Sequence, residues 1–213
     1  MRQRKIKGLD EKLEKVNENL VLEAKQFRGQ WKNVFANENP IFVEFGSGKG
    51  KFILEHAMET QDKNYIAIEG QASVAIRILE KIKEKELTNV KVIIDFISDI
   101  KEYFAENEIS GMYLNFSDPW PKSRHAKRRL TYIENLKAYN LIMKKGSFLE
   151  IKTDNDGLYE FSLEQVELAG LELCEKSEDL HASEYEAKRI KTEYEGKFSE
   201  QGKNINYIKA RML

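Results

Sequence analysis

"IFVEFGSGKG", residues 41–50, is the stretch on which the fold turns. Ile41–Phe45 is short, apolar and β-prone, the pattern of a buried strand. It runs straight into Gly46, Gly48 and Gly50. Glycines there allow a tight strand-to-helix turn and let the backbone approach a ligand closely. A helical stretch from Phe52 to Met58 follows.

The same alternation continues outward. "NYIAIEG" is a second strand ending at Glu69, and "ASVAIRILEKIKEKE" has the period of a helix. "VKVIIDFIS" and "GMYLNFS" are a third and a fourth strand. "YIENLKAYNLIMKKG" reads as a helix stopping at Gly146, with Lys144 and Lys145 in its last turn, where cations suit the dipole. "SFLEIKT" is a fifth strand, followed by a helix over 156–169. Two further strands are expected in "LELCEKSED" and "NINYIKARML", and Leu9, Leu13, Val16, Leu20 and Ala24 predict one helix over 9–27. Strand and helix alternating in this way give an α/β fold: a parallel sheet with helices on both faces. Ligands of such sheets bind at the carboxyl ends of the strands, so the loops of interest begin at Phe45, Glu69, Ile94, Ser117 and Thr153.

Composition narrows the class. The 213 residues are 41% hydrophobic, enough for one sizeable core, and 35 Lys and Arg stand against 36 Asp and Glu. With a net charge of −1, affinity for nucleic acid must come from a local patch. Cys174, the one cysteine, excludes an internal disulfide and multi-cysteine zinc motifs, and reads as a small buried residue. No apolar run is long enough to span a membrane, and "MRQRKIKG" lacks the apolar segment of a signal peptide. The expected location is the cytoplasm.

The glycine loop departs from two familiar patterns. A dinucleotide fingerprint would need a glycine where Lys51 stands, and no window matches a P-loop. Glu69, ending strand two, suits the two hydroxyls of a ribose. Glu44 adds a carboxylate beside the loop, which would repel a pyrophosphate and attract a sulfonium or an ammonium. Together these features point to S-adenosylmethionine.

A second unusual stretch is "NFSDPWPKSRHAKRR", residues 115–129. Asp118 falls at the tip of strand four. Pro119 and Pro121 stiffen the turn, and Trp120 offers a stacking face worth about 1–3 kcal/mol to a base. The basic run behind them can grip phosphates, which makes the whole a reactive pocket beside a nucleic-acid surface.

With "GQWKNVF", "VEFGSGKG", "YIAIE", "YLNFSDPWPKSRHAKRRL", "KTDN" and "TEYEGKF", the chain resembles the bacterial tRNA (guanine-N7)-methyltransferases from about Arg28 to Phe198. The resemblance implies a Rossmann-like class I methyltransferase fold, with a seven-stranded, mostly parallel sheet and an antiparallel last strand. Residues 28–213 would form that domain, behind a basic arm and helix at 1–27. It also implies S-adenosylmethionine as donor and guanine 46 of the tRNA variable loop as target. Carried across, Glu44, Gly46, Gly48, Gly50, Glu69 and Asp118 match donor-binding positions, and Asp118 the catalytic aspartate. Lys122, Asp154, Thr192, Glu193, Tyr194 and Glu195 match substrate contacts. Arg124, His125, Ala126, Lys127, Arg128 and Arg129 match the RNA-contacting stretch. After strand three the family has Asn or Asp followed by Ala. Here Asp95 is followed by Phe96, with Asp99 as a rival for the adenine-flanking position.

Two other readings fit the same residues. One is a methyltransferase for a base amino group, since Asp118–Pro119–Trp120 loosely resembles a D-P-P-Y turn. The other is an RNA-binding module without catalysis. The expected partner is tRNA, with no membrane and no obligate protein partner, as a monomer or homodimer. His56, His125 and His181 are scattered and suggest no metal site.

Overall fold

The computed structural model describes residues 8–199 and 202–213, so the expected basic arm at residues 1–7 lies outside them. The described chain starts with α1 (Leu9–Glu14) and α2 (Trp31–Phe35). β1 (Ile41–Phe45), α3 (Lys51–Glu59), β2 (Asn64–Ile68), α4 (Ala72–Glu84), β3 (Val90–Ile93) and β4 (Ile109–Asn115) follow. Then come α5 (Ile133–Ile142), β5 (Met143–Thr153), α6 (Asp156–Leu168), β6 (Glu172–Ser177), α7 (Glu193–Ser199) and β7 (Asn206–Arg211).

The seven strands form one sheet in the order β3-β2-β1-β4-β5-β7-β6. β1 to β5 pair in parallel, and β7 runs antiparallel to both neighbours, β5 and β6. Alternate side chains supply opposite faces. Val43, Ile66 and Ile68 join a core with α2, α5 and α6, while Phe42, Tyr65 and Ala67 join one with α3 and α4. Phe45 is in register with Ile68 on one side and Leu114 on the other. The loops after β1, β2 and β4 therefore leave the sheet along one edge, side by side.

Three expectations need correction. Residues 9–27 are not one helix: α1 is followed by 3₁₀ turns at Asn17–Asn19 and Ala24–Phe27. Between them Leu20 bridges Val92, and the Val21 N–H donates to the Val92 carbonyl at 2.9 Å. Pairing that covers the sheet's β3 edge outweighs the helical period. Lys144, Lys145 and Gly146 do not end a helix. Met143 is already extended, and Gly146, at φ +79°, turns inside β5, where its N–H reaches the Met212 carbonyl. Cys174 is exposed, because β6 is the opposite edge strand.

Candidate active site

The aligned strand ends bring the sequence-predicted residues together around two adjoining hollows. The first, about 350 Å³, is lined by Glu44, the glycine loop, Asn115, Phe116 and Thr192–Tyr194. The second, about 450 Å³, is lined by Glu69, Asp95, Phe96, Asp118, Trp120 and Arg128. Gly46, Asn115 and Phe116 belong to both.

Gly46, Gly48 and Gly50 all have positive φ, which is why L side chains are excluded from these places. The N–H groups of Gly46 and Ser47 both reach the Ile68 carbonyl, at 2.9 and 3.0 Å, folding the loop over the end of β2. A Cβ on Gly46 or Gly48 would meet nothing within 4 Å, so the loop's backbone is open to the cavity. Gly50 differs: a Cβ there would come 2.9 Å from Ile78.

Glu44 is 2% exposed. Its Oε1 accepts from Asn115 Nδ2 at 2.8 Å, while Oε2 is buried with no hydrogen-bond partner among the described residues; the residue lines the first hollow. Burial pushes its carboxyl up to about 7. Glu69 is a clamp as well as a lining residue. Its Oε2 accepts from the Gly48 N–H at 3.0 Å and its Oε1 from the Gln71 N–H at 2.9 Å.

Of the rivals after β3, Asp95 and Phe96 line the second hollow, whereas Asp99 caps the 3₁₀ turn Ile100–Glu102 and faces a neighbouring cavity. Asp95 accepts from the Tyr103 hydroxyl. Phe96, 76% exposed, lays its ring against Gly70, where even a Cβ would have no room. Asp118 is exposed in a turn bounded by two non-glycine residues with positive φ, Phe116 at +52° and Trp120 at +41°. Such angles store about 1–3 kcal/mol each.

The C-terminal residues divide. Thr192, Glu193 and Tyr194 line the first hollow, but Glu195 does not reach it. Glu195 is fully buried, forming a capping box in which Thr192 N–H donates to Oε2 at 3.1 Å and Glu195 N–H to Thr192 Oγ1 at 2.9 Å. It also lies 3.3 Å from Lys152 Nζ and 3.3 Å from His181 Nε2. Asp154 lies outside both hollows and accepts from the Tyr194 hydroxyl at 3.1 Å. Sequence reasoning missed Asn115 and Lys152, the polar anchors beneath the site. For Asn115 the one sequence signal is a polar residue closing the apolar run Met112–Leu114; Lys152 stands in a strand that also carries Glu150 and Thr153, and its burial appears only in the fold. Burial pulls the Lys152 ammonium below the usual lysine range.

The basic segment is a 3₁₀ turn, Ser123–Arg128. Lys122, Arg124, Lys127 and Arg128 are exposed, and His125, Ala126 and Arg129 are half-buried. The Arg128 guanidinium lies 4.8 Å from the centre of the Trp120 ring, with His125 edge-on to the same ring. Among the described residues, no cluster of three or more His, Cys, Asp or Glu is placed to hold a metal ion. No helix there is long and apolar enough to cross a membrane.

Known proteins share both fold and sequence. Solved structures alike in fold include an antibiotic-related methyltransferase (TM-score 0.64, 16% identity, 89% of this chain and 94% of that one). Another is a SAM-dependent methyltransferase from Aquifex aeolicus (TM-score 0.55, 15% identity, 98% and 100%). A family model described as "Putative methyltransferase" matches residues 38–208. The tRNA (guanine-N(7)-)-methyltransferase of Streptococcus thermophilus strain CNRZ 1066 is 45% identical over 211 residues, 99% of each chain. That of Lachnoclostridium phytofermentans is 45% identical over 210 residues, 99% of this chain and 98% of the relative. The chain belongs to the tRNA (guanine-N(7)-)-methyltransferase family.

Proposed function

We propose that the protein transfers a methyl group from S-adenosylmethionine to N7 of a guanine in tRNA, nucleotide 46 of the variable loop being the target. The observation that carries the reading is Glu44. A buried carboxylate with one oxygen unpartnered, on the wall of a glycine-lined hollow, is a counter-charge prepared for a cation. The open glycine backbone, Glu69 and the Asp95–Phe96 pair at the second hollow fit the remainder of a nucleoside-bearing donor. When bound, the donor supplies an electrophilic methyl on a sulfonium.

The residues of the chain have a modest chemical task. Guanine N7 carries an in-plane lone pair and no proton, so no base need deprotonate it. Alignment can account for about 7–11 kcal/mol of the barrier. The ring turns cationic as the methyl arrives, and Asp118 orients the guanine edge and offsets that charge. Glu193 and Thr192, with Asp154 through Tyr194, accept from the N1 and N2 hydrogens, an edge adenine lacks. Glu195, buried on Lys152, serves by holding this segment. Lys122, Arg124, Lys127 and Arg128 take the tRNA backbone. The protein acts in the cytoplasm as a monomer or homodimer, with residues 1–27 as an appendage to the domain at 28–213.

The deciding experiment incubates the protein with unmodified tRNA and tritiated donor, then cleaves the product at 7-methylguanosine. Label incorporated at one internal guanine supports the reading. Label in another nucleoside, or none, sinks it.

A further inference from the structure

The run Arg124–Arg129 is basic, yet its last member turns inward. Arg129 Nε donates to the Pro119 carbonyl at 2.9 Å, and Nη2 donates to the Trp120 carbonyl at 3.0 Å. The guanidinium lies 4.2 Å from the centre of the Phe161 ring, on α6. The backbone of Arg129 is also fixed. Its N–H donates to the Ala126 carbonyl at 3.0 Å, and its own carbonyl accepts from Asn135 Nδ2 at 3.0 Å.

The two carbonyls it grips belong to the residues directly after Asp118. This turn has need of an external tie. Phe116 and Trp120 sit at left-handed angles without being glycine, and such angles persist only where the surroundings over-determine them. Pro119 and Pro121 have no N–H with which the turn could bond to itself. A guanidinium offers two N–H groups in a rigid fork, an arrangement a lysine cannot copy.

We infer that Arg129 is a positioning residue: it holds the Asp118–Pro119–Trp120 turn in its reactive shape instead of gripping a tRNA phosphate, and Phe161 holds Arg129. This rests on the guanine-N7 reading above. It separates Arg129 from its neighbours Arg124 and Lys127, whose exposed cations face solvent.

The test measures the single-turnover rate at saturating tRNA and donor, and tRNA affinity across a salt series. The variants are Arg129→Ala, Arg129→Lys, Phe161→Leu and Arg124→Ala, each checked for cooperative melting. Arg129→Ala is expected to lower the rate at least about tenfold, towards the ~10²-fold that a misplacement of about 1 Å brings. Its tRNA affinity and salt slope stay as in wild type. Arg129→Lys, with charge kept, loses rate too, and Phe161→Leu falls between. Arg124→Ala, by contrast, flattens the salt slope by about 0.9. Should Arg129→Ala fail to melt cooperatively, Arg129→Lys is read in its place. A normal rate with a flattened slope in Arg129→Ala, or a wild-type rate in Arg129→Lys, overturns the inference alone. A wild-type protein that forms no 7-methylguanosine overturns the functional reading and this inference with it.

Discussion

Glu44 is buried with no cation paired to it among the described residues, and burial gives it a pH signature. Its carboxyl is held at about 7 against an ordinary 4.5, so the folded chain keeps its proton where the unfolded chain has released it. Stability from this group is greatest below about pH 4.5 and declines as pH rises to about 7, by about 3 kcal/mol. Glu44→Gln removes the charge and keeps an acceptor for Asn115. It should make the free protein more stable at pH 8, by up to about 3 kcal/mol, and nearly unchanged at pH 4. The same variant should bind S-adenosylmethionine, which carries both a sulfonium and an ammonium, weakly, and wild-type affinity should decline as pH falls below about 7. Denaturation at both pH values and calorimetry with the ligand read the two effects, and full ligand affinity in Glu44→Gln would remove the assignment. Asp118 behaves differently, since it is exposed and its proposed role peaks when the guanine ring becomes cationic. Asp118→Ala should lower kcat on the order of 10²-fold while tRNA affinity moves little, with Asp118→Asn between them. A turnover like wild type in Asp118→Ala would refute the role. Both acids were legible from the sequence because they stand at strand ends. The partners that set Glu44's state, Asn115 and burial, were not, because they come from the pairing of β1 with β4.

Among elements, α7 shows how a functional segment is fixed from below. Lys152, the penultimate residue of β5, donates to the Ala187 carbonyl at 2.6 Å and the Ile190 carbonyl at 3.0 Å, and meets Glu195 at 3.3 Å. One ammonium thus ties the approach to α7, and its first turn, to the centre of the sheet. Glu195→Gln leaves that ammonium buried without a counter-charge, and breaking such a pair typically costs about 3–5 kcal/mol. The expected result is a lower melting temperature and a raised KM for tRNA, through Thr192–Tyr194. A variant with wild-type melting and selective loss of guanine discrimination would instead return Glu195 to direct substrate contact. The motif alone suggested such contact, because sequence similarity marks which residues matter and not which way each one faces. The period of α5 misled in a similar manner. Its helical pattern runs on through Lys144 and Lys145, but the sheet takes Met143 onward because a strand beside β4 buries Leu149 and Ile151. Propensity is local, and pairing with a distant strand outweighs it. The order of strands and loops around the glycine turn was legible for the opposite reason, since local pattern and tertiary pairing agree there.

At the scale of the whole molecule, a net charge of −1 gives no long-range pull on tRNA, so association depends on a few cations gathered at one place. Lys122, Arg124, Lys127 and Arg128 are exposed within one turn of chain, on the side of the sheet where the Asp118 turn opens. Each phosphate contact adds about 0.9 to the slope of log affinity against log salt. Four contacts predict a loss of about two orders of magnitude between about 50 and about 200 mM salt. Replacing Arg124, Lys127 and Arg128 with alanine should flatten the slope by about 2.7. S-adenosylhomocysteine affinity should be unaffected, because phosphate contacts position the RNA and leave the donor hollow untouched. Arg128 adds a second signature. Its guanidinium covers the Trp120 ring, so its removal bares that face, and the triple variant's Trp fluorescence should respond to tRNA differently from an Arg124, Lys127 double variant. Filter binding across salt separates the outcomes. A triple variant with wild-type affinity and an unchanged slope would mean that the run is only a solvated face and that tRNA approaches from elsewhere.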